Sequence, residues 1–161
     1  MRKLLNDEIK VKQKKNEVKY KSFKDMLENM INQYHNRALT SAEVIKNLVD
    51  MAKEIQKEDK RAAQMDMTEE EIAFYDIVKQ GHEAILQDEK TKEIAKNLVR
   101  IIREKTQNAV DWTNREDVQA NIRATVKRLL KRNGIKDSED LENTIKIVMK
   151  QASNIFDNNI A

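Results

Sequence analysis

An all-α fold of six or seven amphipathic helices is what this sequence predicts, on three observations. Proline is absent and glycine occurs only twice, so the residues that punctuate strands and tight turns are nearly missing. Apolar residues recur at three- and four-residue intervals in one segment after another, the spacing of a single helix face. Thr stands three residues before Glu at three of the segment starts, a pairing that satisfies free backbone N–H groups of a first turn.

In chain order, Leu4, Leu5 and Ile9 mark a short first helix. The basic stretch "KVKQKKNEVKYK" follows with weak periodicity and reads in part as a connector. Ser22 is the expected N-cap of a helix carrying Phe23, Met26, Leu27, Met30, Ile31 and Tyr34. Thr40 and Glu43 form a capping box, with Leu39 and Val44 placed as a hydrophobic staple, so a helix starts near 41. Its face is Val44, Ile45, Leu48, Met51, Ala52 and Ile55. Thr68 and Glu71, flanked by Met67 and Ile72, repeat the arrangement and start a helix near 69.

That helix differs from its neighbours. Ile72, Ala73, Phe74, Tyr75, Ile77 and Val78 leave little polar face, so it is expected to lie among other helices, with Gly81 ending it. Asp88 is the expected cap of the next helix, whose stripe is Ile94, Leu98, Ile101 and Ile102. Thr113 and Glu116 form a third box ahead of Val118, Ile122, Val126 and Leu129, and Asn133-Gly134 stops that helix. The last helix, from about 139, carries Leu141, Ile145, Val148, Met149, Ala152, Ile155 and Phe156. With no fixed-period repeat and no low-complexity linker, residues 1–161 read as one bundle-like domain. Within it, 1–21 is a basic helix and connector, and 22–157 the helical core.

Several chemistries are excluded or disfavoured. The absence of cysteine removes disulfides and thiolate zinc sites. No apolar run approaches the ~20 residues of a membrane span, and no signal-type apolar region follows Met1, so a cytoplasmic location is expected. Two glycines cannot build a phosphate-binding loop. His35 and His82 belong to no metal-ligand spacing and are read as surface or hydrogen-bonding residues. Glu69, Glu70 and Glu71 suit the positive end of a helix dipole better than a cation. Phe74 and Tyr75 could stack on bases but fit a core better, and the seven methionines read as core filling. No catalytic, cofactor-binding or metal-binding residue is expected in this chain.

What remains is charge. Residues 92–136 hold twelve basic and five acidic side chains, whereas 22–91 hold nine and fifteen. On the helix after Trp112, Arg123, Lys127, Arg128, Lys131 and Arg132 spread over the side opposite the apolar arc. Lys96, Arg100, Arg103 and Lys105 on the preceding helix extend the same charge. Such a surface suits a phosphate backbone or an acidic protein, and equally the solvated face of any amphipathic helix. Trp112 sits just before the Thr113 cap, where its staple partner would be Asp117, so it is expected to pack back onto the core with its N–H held by an acceptor.

Four segments taken together, "NEVKYKSFKDML", "YHNRALTSAEVI", "MTEEEIAFYDIV" and "VDWTNREDVQANIRATVKRLLKRNG", carry a family resemblance. From about Leu4 to Phe156 the chain resembles the C-terminal helical domain of the restriction (R) subunit of type I restriction–modification enzymes. The resemblance implies a parent subunit with a nuclease domain and two RecA-like motor domains that translocate double-stranded DNA with ATP and Mg2+. The helical region follows the motor, lacks its catalytic motifs, and docks the subunit onto the modification methyltransferase, which acts with a specificity subunit. The implied partners are therefore the methyltransferase and specificity subunits and the rest of the R subunit, with double-stranded DNA as the alternative. The turn "KRNGIKDSEDLE" departs from the family in having no proline.

Overall fold

The computed structural model describes residues 2–157, and among these it has seven α-helices, one 3-10 turn and no strand. The helices gather into two compact units, Met1–Thr68 and Glu69–Ala161. The division falls between Thr68 and Glu69.

The first unit holds α1 (Arg2–Gln13), α2 (Glu17–His35) and α3 (Ser41–Met65). The expected connector shrinks to residues 14–16, because α2 begins at Glu17 and not after Ser22. Asn16 is the cap: its side chain accepts from the Lys19 N–H at 3.1 Å, so the helix gains the "EVKYK" turn that periodicity alone left unassigned. At α3 the Thr40 hydroxyl accepts from the Glu43 N–H at 3.2 Å, and the Glu43 carboxylate accepts from the Thr40 N–H at 3.0 Å. Leu5, Ile9, Tyr20, Phe23, Leu27, Met30, Leu48, Met51 and Ile55 form the buried core, each worth about 1.5–3 kcal/mol when fully removed from water. Two chain reversals place non-glycine residues in the left-handed region: Arg37 (φ 61°) after α2 and Asp66 (φ 54°) after α3. In each, the next residue's N–H reaches back five positions, Ala38 to Gln33 and Met67 to Ala62, which closes the helix end.

Charged groups ring this core. Lys12 reaches Asp59 at 2.6 Å and Glu8 at 2.9 Å, and Lys19 reaches Glu58 at 3.2 Å. Burial opposes the charge on Lys12, but its bonds to Asp59 and Glu8 together raise its pKa. Burial likewise pushes the Tyr20 hydroxyl up to about 12; Lys12 works against this, and Asp59 and Glu58 reinforce it.

The second unit holds α4 (Glu69–Lys79), α5 (Asp88–Thr106), the 3-10 turn Trp112–Asn114, α6 (Glu116–Arg132) and α7 (Ser138–Ile155). In α4, Ile72, Ala73, Phe74, Tyr75, Ile77 and Val78 are all buried, and both α5 and α7 pack on it. Gly81 follows with φ +80°. Asp88 is not the cap of α5 but its first residue; the extended residue before it is Gln87, which makes no side-chain cap bond. The Asp88 carboxylate instead accepts the Tyr75 hydroxyl, which lowers its pKa, with Lys92 adding to the effect. After α6, Gly134 (φ +106°) lets the Ile135 N–H reach the Leu130 carbonyl at 3.1 Å.

The corner before α6 overturns the third capping box. Residues 112–114 form a 3-10 turn, and α6 begins at Glu116 behind an extended Arg115 with no side-chain cap bond. Tertiary burial decides this geometry. Trp112 is 1% exposed, and its indole N–H donates to the Phe156 carbonyl at 2.7 Å. The turn's own carbonyls, at Trp112 and Thr113, receive the Gln119 amide, so Thr113 acts through its backbone and not as a cap. Asp111, at φ 59°, supplies the left-handed bend into the turn.

Two outcomes follow. Trp112→Phe, which removes the donor and shrinks the ring, costs about 2 kcal/mol, and Trp112→Ala about 3–5 kcal/mol, in urea unfolding; a loss of under about 0.5 kcal/mol for Trp112→Ala would contradict the anchor. The folded state also favours neutral Tyr20. Its contribution is complete below the ordinary tyrosine value of 10.0 and is lost as pH rises from there to about 12. Unfolding free energy therefore falls across that window, and Tyr20→Phe flattens the fall; an unchanged slope would count against it.

Candidate functional site

The α6 helix is built to bury one side and display the other. Ile122, Val126 and Leu130 are fully buried and Leu129 nearly so. Leu130 lies 120° around the helix from Val118, on the Arg123 side, so the apolar stripe is wider than the sequence indicates. Two contacts mark the edges of the displayed side. Towards α5, the Lys105 ammonium donates to the Asn121 side chain at 2.7 Å. Towards α7, Lys127 pairs with Glu142 at 3.3 Å.

Lys131 and Arg128 lie between those edges by helical angle, and Arg123 and Arg132 just beyond them; the structure sorts these sequence-predicted cations. Lys127 is half-buried and spent on Glu142. Arg128 is exposed and, among the described residues, donates only to the Thr125 hydroxyl at 3.3 Å. Arg123, Lys131 and Arg132 are exposed and form no ion pair among the described residues. Ala120 and Ala124, also exposed, lie between these rows by helical angle and leave the middle of the face low. Acid gathers at the other end, where Glu116 and Asp117 occupy the first turn. A hydrogen bond from Arg115, 3.0 Å away, lowers the Asp117 pKa. The helix thus runs from acidic to basic, as its dipole favours.

The α5 cations divide the same way. Arg103 is structural: it donates to the Glu70 carboxylate of α4, and its guanidinium lies 5.7 Å from the centre of the Phe156 ring. Arg100 meets Glu104 at 3.8 Å within its own helix, and Lys96 is exposed. Unpaired guanidinium groups present planar, multi-donor recognition of carboxylate or phosphate, so this face can hold an anionic surface.

The remaining candidates are accounted for by structure. Phe74 and Tyr75 are buried, Phe74 stacking on Phe156 with centroids 6.3 Å apart. His35 is exposed beside the Tyr34 ring. Thr68 immediately precedes α4, whose first turn contains Glu69, Glu70 and Glu71. Among the described residues no group of three or more His, Asp or Glu is arranged to hold a metal ion, and no helix is long and apolar enough to cross a membrane.

His82 takes the hydrogen-bonding role of the two that the sequence allows, with partners that the sequence does not name. It is 1% exposed, with Nδ1 2.6 Å from the Val78 carbonyl and Nε2 2.7 Å from the Asp140 carboxylate. The bond to Asp140 ties the turn after α4 to the first turn of α7. No local signal marks it, because Asp140 lies 58 residues further on.

Residues 1–158 match the family described as type I restriction enzyme HindI endonuclease subunit-like, C-terminal. Over 155 residues the chain is 36% identical to a Methanocaldococcus jannaschii protein assigned as the type I restriction enzyme MjaIXP endonuclease subunit. Over 157 residues it is 32% identical to the type I restriction enzyme HindI endonuclease subunit of Haemophilus influenzae. Each alignment covers 96% of this chain and 15% of the relative. No solved structure matches the chain.

Because Arg123, Arg128, Lys131 and Arg132 engage no carboxylate among the described residues, their positive charge is not a stability device. Neighbouring cations four residues apart repel weakly, so reversing any one of them to Glu changes unfolding free energy by less than about 1 kcal/mol. Urea denaturation checks this; a loss above 2 kcal/mol would mean that the face is held by contacts within the fold.

Proposed function

Since the chain belongs to the family of C-terminal domains of HindI-like type I restriction endonuclease subunits, we propose that it is the subunit's assembly module. In this reading it docks the ATP- and Mg2+-dependent translocase and nuclease, which occupy the rest of the subunit, onto the modification methyltransferase and its specificity subunit. The chain itself performs no chemical step and binds no cofactor. Its setting is the cytoplasm, in defence against foreign DNA.

One observation carries this reading: unpaired, exposed cations on α6 stand on a rigidly buried helix, beside residues whose polar groups are consumed by the fold. What α6 offers is a charged surface. Arg-rich faces of this kind meet acidic protein surfaces and set orientation and association rate. The same cations favour a second reading, in which α6 touches the phosphate backbone of DNA near the motor. That contact would be weakly dependent on sequence and steeply dependent on salt.

The test is co-precipitation of the chain with the methyltransferase complex, alongside ATPase and nuclease assays. The chain binds the complex and turns over neither ATP nor DNA. Failure to bind under conditions where the full restriction subunit binds would remove the docking reading. Arg123→Glu combined with Arg128→Glu then separates the two surfaces. If assembly persists while DNA affinity falls and loses its salt dependence, α6 is a DNA contact.

A further inference from the structure

The α2–α3 face of the first unit carries a feature that neither the core nor the basic helix explains. Phe23, Met26 and Met30 of α2 and Met51 of α3 line a groove of about 330 Å³. Met26 is 53% exposed, in contrast to Met30 and Met51, whose side chains are buried in the groove floor. Three methionines on one surface give a soft, polarisable lining that reshapes around different apolar side chains. The volume lies in the range of sites that take up a few large side chains.

The rim has one sign. Asp50 and Glu54 border the groove on α3, three amide side chains complete the polar edge, and no Lys or Arg lines it. Glu54 is held by Lys57 at 3.1 Å on its outer side. Asp50 is exposed and has no partner among the described residues. An apolar floor under a carboxylate rim fits an amphipathic helix whose apolar residues recur at three and four positions and whose flanks carry Lys or Arg. An acidic helix would meet like charge at Asp50, and a bare phosphate backbone would find no cation.

We propose that this groove receives a cationic amphipathic helix of the partner onto which the chain docks. The proposal rests on the docking reading for the partner's identity, but not for the chemistry of the groove. It separates two surfaces: the groove takes an apolar, basic helix, and α6 displays the opposite charge preference.

Methionine methyl NMR on the full chain tests the groove directly. The probes are two Leu-based helical peptides of equal length, one with Lys and one with Glu on the polar face. With the Lys peptide the Met26, Met30 and Met51 methyl signals shift while that of Met149 stays, and Asp50→Lys weakens binding at least tenfold. Asp50 is exposed, so this variant folds; Met26→Glu, at another exposed position, does the same from the apolar side. Equal binding of the Glu peptide, or shifts elsewhere than in these three signals, would overturn the groove. Binding to the methyltransferase complex is then measured for the same variants. If the unaltered chain binds the complex and both variants bind as well as it does, the groove proposal falls and docking stands. If the chain does not bind the complex but the Lys peptide fills the groove, docking falls and the groove stands.

Discussion

The bond from the Trp112 indole to the Phe156 carbonyl is the constraint on which the second unit depends. It joins the corner before α6 to the end of α7, 44 residues away in sequence. Around it, the Phe156 ring stacks on Phe74 of α4 and lies under Arg103 of α5, which also holds Glu70 of α4. One small region therefore gathers α4, α5, α6 and α7. A buried indole N–H left without an acceptor would cost the desolvation of that group, so the corner has one satisfactory arrangement. That arrangement fixes where α6 starts and hence which of its sides faces water.

From this follows the functional geometry. Ile122, Val126 and Leu130 are driven inward, and Arg123, Arg128, Lys131 and Arg132 are left on the outside without carboxylate partners among the described residues. Lys105 and Lys127, which resemble them in sequence, are drawn off by Asn121 and Glu142 at the two edges. Exposed ion pairs contribute little stability, so these edge contacts matter more for position than for energy. They hold Lys105 and Lys127 at the borders of the α6 face. The first unit offers the complementary chemistry: an apolar floor and a carboxylate rim.

Much of the fold was legible because it is written in short-range chemistry. The reciprocal Thr40–Glu43 bonds need only four residues, and the pattern names them correctly. The six buried residues of α4 announce themselves by leaving no polar face. Asn133-Gly134 stops α6 because only glycine adopts φ +106° without strain. The misreadings share a different cause. Thr113 and Glu116 have the spacing of a capping box, but with Trp112 buried and bonded to Phe156, Thr113 lies in a 3-10 turn and Glu116 opens α6 behind Arg115. Asp88 resembles a cap until the Tyr75 hydroxyl claims it. Asn16 was passed over because the lysines around it hide the period of α2. The cations of the candidate surface were all visible, yet which of them stay free depends on Glu70, Asn121 and Glu142, each on another helix. The hydrogen-bonding role of His82 is legible, but its partner Asp140, 58 residues further on, is named by no local pattern.

A competition titration puts the assembly role to its most direct test. A fluorescently labelled full restriction subunit is bound to the methyltransferase complex without DNA, and the unlabelled 161-residue chain is added while anisotropy is followed. Displacement that saturates at one chain per restriction-subunit site is the predicted result. No displacement, at chain concentrations far above that of the labelled subunit, would contradict the assembly role.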